Sequence, residues 1–300
     1  MYEQIAQNKR NSVFLVIIFI MVIFILSEGV GVYTGTGYYA LLFAAVFSAI
    51  MALISYYNGD KIVLTISRAR MIEKKDNQQL YNIVEELCVA GGIPMPKIYE
   101  IDDTAPNAFA TGRNPENASI AVTTGLLSKL NREQLQGVVA HELSHIKNYD
   151  ILFCTIITVL VGIVALLSDF MRRSMFYGGR SRSRSSRSGG KGGGEGIIIL
   201  IAIIFAIFAP ILAQIIKFAV SRQREYLADA SSVELTRNPE GLARALEIIS
   251  GDKEVLEVAN QATQHLYIVN PIKPFESRGQ NSVFSTHPPI EERIRRLRSM

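Results

Sequence analysis

The sequence predicts a mainly α-helical integral membrane protein with a small antiparallel β-sheet, its water-exposed part split in two by a membrane hairpin. Three observations carry this. The 300 residues are 49% hydrophobic with a mean hydropathy of +0.22 and no tryptophan, too apolar for an ordinary soluble protein of that length. Four apolar runs stand apart from the polar remainder: 13–26 with a weaker continuation to 32, then 38–57, 151–168 and 197–216. The last three run for 20, 18 and 20 residues without a charge, enough to cross a hydrocarbon core of about 30 Å. Between these runs lie segments of helical periodicity and three short strand-like stretches bounded by Asp, Pro and Gly.

Residues 1–60 form the first membrane hairpin, with spans at about 13–32 and 38–57. Lys9-Arg10 before a short apolar stretch resembles a signal peptide, but Ser27-Glu28-Gly29 is a poor cleavage site and a second span follows at once. An uncleaved anchor is expected. Lys9 and Arg10 precede the first span, the intervening loop has no basic residue, and Lys61, Arg68, Arg70, Lys74 and Lys75 follow the second. By the positive-inside rule both ends of this hairpin, and the segment after it, face the cytoplasm.

Residues 61–150 make the first half of the water-exposed domain. Asp76 is expected to cap a helix with apolar positions Leu80, Ile83, Val84, Leu87 and Cys88, stopped by Gly91-Gly92 and Pro94. Strands are expected at 97–101, 107–111 and 119–124. Asn131 caps the next helix, with Gln134 completing a capping box. Residues 151–216 form the second hairpin, spans 151–168 and 197–216 joined by a low-complexity basic loop, 169–196, expected to be disordered. Six Arg and one Lys against two acids give this loop a charge of +5, yet two full crossings put it outside. Either the hairpin crosses against the charge bias or it dips in without crossing. Both choices leave residues 145 and 225 on one side. Residues 217–300 form the second half, with helices expected at about 217–237, from Asn238-Pro239, at about 252–265, and from Pro288.

The net charge of +4 sits beside the apolar runs, which suits lipid headgroups, and no aromatic-interleaved basic motif points to nucleic acid. Cys88 and Cys154 occupy unrelated settings and read as packing residues rather than a disulfide or thiolate ligands.

The chemistry is concentrated in His141-Glu142-Leu143-Ser144-His145. On a helix, residues four apart share a face, so both imidazoles can reach one ion, while Glu142 projects about 100° away, within reach of a water on that ion. This is a zinc-hydrolase arrangement. A catalytic zinc takes three protein ligands. A ligand shortly after the pentad is ruled out, because Ile151 stands where it would fall. Glu225, with Asp229 one turn later to support a ligand, matches the alternative in which a second helix supplies the third ligand.

With Asn107-Ala-Phe-Ala-Thr-Gly112, the pentad, Arg224-Glu-Tyr-Leu-Ala-Asp229, and Ser285-Thr-His-Pro-Pro289 followed by Arg293, the chain resembles the HtpX-like membrane zinc metallopeptidases, relatives of the CAAX prenyl endopeptidases. The resemblance runs from about residue 60 to the C-terminus and includes the leading hairpin; the basic loop departs from it. It implies a gluzincin-type metalloprotease domain with one Zn²⁺ per chain held by His141, His145 and Glu225. It also implies Glu142 as general base and acid and His287 as donor to the oxyanion. Asp229 supports the ligands. Arg293 either pairs with Asp229 or is one more charge on a basic helix. Asn107 either binds substrate backbone or caps the turn after Pro106; if 107–112 or 119–124 is an exposed strand, an extended substrate could add to it. His265 fits no motif and reads as structural.

The function expected is a membrane-integral endopeptidase of the cytoplasmic membrane, its catalytic domain in the cytoplasm, cutting membrane or misfolded proteins under stress. A prenyl-peptide endopeptidase and a metal-binding membrane scaffold without turnover are the alternatives.

Overall fold

Helices dominate the computed structural model, which describes residues 2–162, 222–260, 262–271 and 288–300. Helix α1 (Tyr2–Thr34) and helix α2 (Gly37–Ile66) pack side by side, joined where Gly35 takes a φ of 71°, a conformation that favours glycine. Residues Ile5–Ile25 of α1 and the whole of α2 are long and apolar enough to cross a membrane. Phe14, Tyr39 and Phe43 stand exposed on their outer faces, as lipid contact requires.

A short strand β1 (Arg70–Met71) leads to α3 (Gln78–Gly91). Asn77 rather than Asp76 caps α3: its side chain accepts from the Leu80 N–H, while Asp76 closes the preceding turn on the Glu73 N–H. Gly92, at φ 61°, ends the helix in the left-handed conformation. Strands β2 (Lys97–Ile101), β3 (Ala108–Gly112) and β4 (Ala118–Thr123) follow, with a 3₁₀ turn at Pro115–Asn117.

The sheet is mixed, not antiparallel as expected. Its order is β1-β2-β4-β3, and β4 runs parallel to β2 and antiparallel to β3. The cause is topological. The 102–107 connection reverses the chain without pairing β2 to β3, and the tight β3–β4 turn then folds β4 into the gap. One sheet face (Ile98, Ala108, Ala110, Ile120, Val122) joins the core with α3 and the helices below, while Ile101, Phe109 and Ala121 pack against Val63 and Leu64 of α2 and against Tyr267. Both faces are covered, so β3 and β4 are buried at every residue.

After α4 (Thr124–Lys129) comes α5 (Arg132–Lys147), opened by the Asn131–Gln134 capping box the sequence predicts. Tyr149, at φ 61°, breaks the helix, and α6 (Asp150–Gly162 within the described residues) leaves at 85° to α5. Leu152, Phe153, Ile156 and Leu160 of α6 pack on Leu15 and Phe19 of α1. The remainder of the third apolar run, the basic loop and the fourth run lie outside the described residues.

Helix α7 (Arg222–Thr236), helix α8 (Pro239–Gly251, capped by Asn238) and helix α9 (Ile290–Leu297) complete the domain around α5. The helix expected at 252–265 is absent: the described residues there form turns, with Asn260 and Thr263 closing loops on neighbouring N–H groups. Asn and Asp side chains that bond nearby backbone compete with helix, and they prevail here.

Candidate metal centre

Helix α5 is the frame. Its core residues Val138, Val139, Leu143 and Ile146 are fully buried, and its other face carries His141, Glu142 and His145. Helix α7 lies antiparallel on it. Ser232 Oγ donates to the Gly137 carbonyl at 3.0 Å, Asp229 Oδ1 lies 3.0 Å from His141 Nδ1, and Glu225 Oε1 lies 3.6 Å from His145 Nε2. Each step down α7 by a turn meets the next turn up α5. A Cβ on Gly137 would meet the Leu242 backbone at 2.7 Å, so glycine permits this close approach of α8.

The three expected ligands converge. His141, His145 and Glu225 each offer one donor atom, all within 4.8 Å of one another. The two Nε2 atoms are 3.2 Å apart, and two nitrogens on a tetrahedral zinc at 2.0–2.1 Å are separated by about 3.3 Å. The far ring nitrogens are held by carboxylates: Asp229 for His141 and Asp150, at 3.0 Å, for His145. With both Nδ1–H groups donating, both Nε2 lone pairs face the same point.

Charge points the same way. With both imidazoles neutral, as metal ligation requires, the carboxylates of Glu142, Asp150, Glu225 and Asp229 face two guanidinium groups among the described residues, Arg293 and Arg224, leaving two negative charges for a dication to balance. Burial pulls the His145 imidazole down, yet Asp150, Glu225 and Glu142 outweigh it and hold it at about 9. Burial lowers His141, assisted by Arg293 and by His145. Burial raises the Glu142 carboxyl to about 7, with Glu225 adding to the rise and His145, Arg293 and the Ala110 N–H opposing it. Glu142 Oε1 is buried without a hydrogen-bond partner among the described residues. The site therefore fits a divalent metal with a base beside it.

Arg293 is the largest fully buried side chain described. Its Nε and Nη2 donate to the two oxygens of Asp229 at 2.9 and 2.6 Å, and Nη1 donates to the Ile268 carbonyl at 3.0 Å. Of the two sequence readings for Arg293, pairing with Asp229 is the one realised. The Asn107 amide is engaged within the fold: Nδ2 donates to the Val269 carbonyl at 2.9 Å, and Oδ1 accepts from Ala108 N–H. The outer edge of β3 is partly taken too, by Ile268 N–H on the Ala108 carbonyl and by Thr155 at Gly112. Ala110, of the same parity, turns its polar groups to the same side and lines the cleft with Glu142, His145 and Glu225. His287 lies outside the described residues.

Sequence reasoning missed Asp150 as a support for His145, and His265 as a wall of this cleft, where its Nε2 lies 3.2 Å from Thr158 Oγ1. The available signal for Asp150 was an acid just after a helix that ends in a candidate ligand.

The chain matches peptidase family M48 over residues 74–300. It is 45% identical over 305 residues to a "Protease HtpX homolog" of Listeria monocytogenes, covering 100% of both chains. A relative of the same description from Dictyoglomus thermophilum is 44% identical over 299 residues, covering 100% of this chain and 94% of that one. Among solved structures, the chain is similar to the crystal structure of S. mikatae Ste24p, with a TM-score of 0.50 at 19% identity over 99% of this chain and 67% of the other, a likeness of fold alone. The chain belongs to peptidase family M48 and is a metalloprotease.

Proposed function

We propose that this metalloprotease is a zinc endopeptidase of the cytoplasmic membrane that cuts membrane or misfolded proteins at the cytoplasmic face, serving quality control under stress. The observation that carries the chemistry is the convergence of His141, His145 and Glu225 within 4.8 Å beside Glu142, whose Oε1 has no hydrogen-bond partner among the described residues. An all-nitrogen and oxygen set of two imidazoles and one carboxylate, with room for a water, suits zinc.

When bound, zinc acidifies a water and polarises the scissile carbonyl. Glu142 Oε1 takes the proton of the attacking water as its oxygen bonds to the carbonyl carbon. The same carboxyl then gives that proton to the peptide nitrogen as the C–N bond breaks. Burial, which raises the Glu142 carboxyl, favours its taking up that proton. His287, next to Pro288 at the entry to the C-terminal segment, is the proposed second donor to the oxyanion. Arg293 holds Asp229, and Asp229 holds His141. An extended substrate that adds to β3 takes the place held by Ile268 and Val269, where the Asn107 amide is available to its backbone.

Location supports the substrate class. The cleft sits where α1 and α6 both begin, and both continue away from it as apolar helices packed together. Lys9 and Arg10 at that end of α1 support a cytoplasmic position by the positive-inside rule. The test is cleavage of a membrane protein by detergent-purified wild type and Glu142→Gln. Chelator-sensitive turnover in wild type and a loss of at least about 100-fold in the variant, with zinc retained, are expected. Full turnover in Glu142→Gln sinks the mechanism.

A further inference from the structure

The two metal-binding histidines are backed alike, but their carboxylates are not. Asp229 is held by Arg293 from within the catalytic domain. Asp150, which holds His145, is itself held by the first membrane helix. Asn8 Nδ2 donates to Asp150 Oδ1 at 2.6 Å and to the Asn148 carbonyl at 3.0 Å, across 142 residues of sequence. The other oxygen, Oδ2, faces His145 Nδ1 at 3.0 Å. Each oxygen of Asp150 thus has one task, and a carboxylate bonded at both oxygens is fixed in plane and direction. Arg224 closes the group: its Nη1 donates to Asn8 Oδ1 at 3.4 Å and lies 3.9 Å from Asp150 Oδ1. Asn8 and Asp150 are 5% and 4% exposed, so water competes little for these bonds.

Asn8 is buried although Gln7, Lys9 and Arg10 beside it are exposed. A leucine of the same branched shape would bury more apolar surface. Its place is explained by what it touches.

We infer that Asn8 is a positioning residue for the metal ligand His145, acting through Asp150, so that the first membrane helix is a working part of the metal site. This rests on the proposed metal reading and goes beyond it, because it makes metal affinity depend on how α1 docks against α6. Loss of such an outer partner typically weakens metal binding about 10–100-fold when it touches the ligand directly. Asn8 acts one bond further out.

The test uses the full-length protein in detergent and measures zinc affinity by competition with a chromophoric chelator, independently of activity. Asp150→Ala is expected to weaken zinc about 10–100-fold and Asn8→Ala about threefold to tenfold. Ser12→Ala, which removes a hydroxyl that bonds the Asn8 carbonyl on the same helix, should leave affinity unchanged. The double variant Asn8→Ala, Asp150→Ala should match Asp150→Ala alone, because the path runs through Asp150. Thermal unfolding is followed alongside, and Asn8→Leu, with the same branched arrangement of side-chain heavy atoms, replaces alanine if that variant does not fold. Affinity within twofold of wild type for Asn8→Ala, or a full additional loss in the double variant, overturns the inference while leaving the metal reading intact. A wild type that binds no zinc overturns both.

Discussion

Replacing Arg293 by methionine keeps much of the side-chain volume and removes the guanidinium. The structure makes the cost large. Arg293 is completely buried, and its two bonds to Asp229, at 2.6 and 2.9 Å, are the charge-assisted fork that keeps that carboxylate ionised inside the domain. Burial alone would raise Asp229; Arg293 first, then His141, reverse that and hold it below the ordinary carboxylate range. Removing one partner of a buried pair costs about 3–5 kcal/mol, because the other charge stays behind unpaired. For a domain of this size each kcal/mol corresponds to about 2–4 °C, so the expected loss in Tm is roughly 6–20 °C. The assay is thermal unfolding of the detergent-purified protein with zinc supplied in excess, and Arg295→Met on the exposed side of α9 serves as control. Arg295 pairs with Glu292 at the surface, and such pairs contribute about 0–1 kcal/mol. A shift for Arg293→Met no larger than the control's would refute the reasoning that α9 is anchored by a buried ion pair.

Three further outcomes follow from the same geometry. Asp229→Asn should weaken zinc binding about 10–100-fold in chelator competition, since the amide can no longer hold the His141 ring as a charged acceptor. Gly137→Ala should cost about 1–3 kcal/mol in chemical denaturation, because the new Cβ meets the Leu242 backbone at 2.7 Å and α5 and α8 must part. Glu240, held at about 2 by Arg298 and Arg244, has a folded pKa below its ordinary 4.5. Its contribution to docking α9 on α8 is therefore complete above pH 4.5 and lost as pH falls toward 2. Glu240→Gln should flatten that part of an acid unfolding titration.

Local chemistry made the pentad helix legible. Asn131 and Gln134 mark its start, and the four-residue histidine spacing marks its face. Glu225 and Asp229 were legible as a candidate ligand and its support because the two must share a helical face, and Arg293 because a motif placed it near them. Asp150 was not. Its role depends on the left-handed Tyr149 and the 85° turn that swings the next helix back toward His145, and neither is encoded by a periodicity. Asn8 lies still further from any local pattern, since only the packing of Leu15 and Phe19 on α6 brings it there. The direction of β4 was hidden for a related reason: strand propensity says where a strand is, and the connections decide which neighbour it takes. The helix expected at 252–265 gives way to turns closed by the side chains of Asn260 and Thr263.

The central claim is that His141, His145 and Glu225 form one metal site although 80 residues separate the last two, from 145 to 225. Zinc stoichiometry of the detergent-purified full-length chain tests it most directly, by elemental mass spectrometry after removal of loosely held metal. About one zinc per chain is expected in wild type and in Glu142→Gln, and at most about a tenth of that in Glu225→Ala. A Glu225→Ala protein that keeps a full zinc would show that the third ligand lies elsewhere.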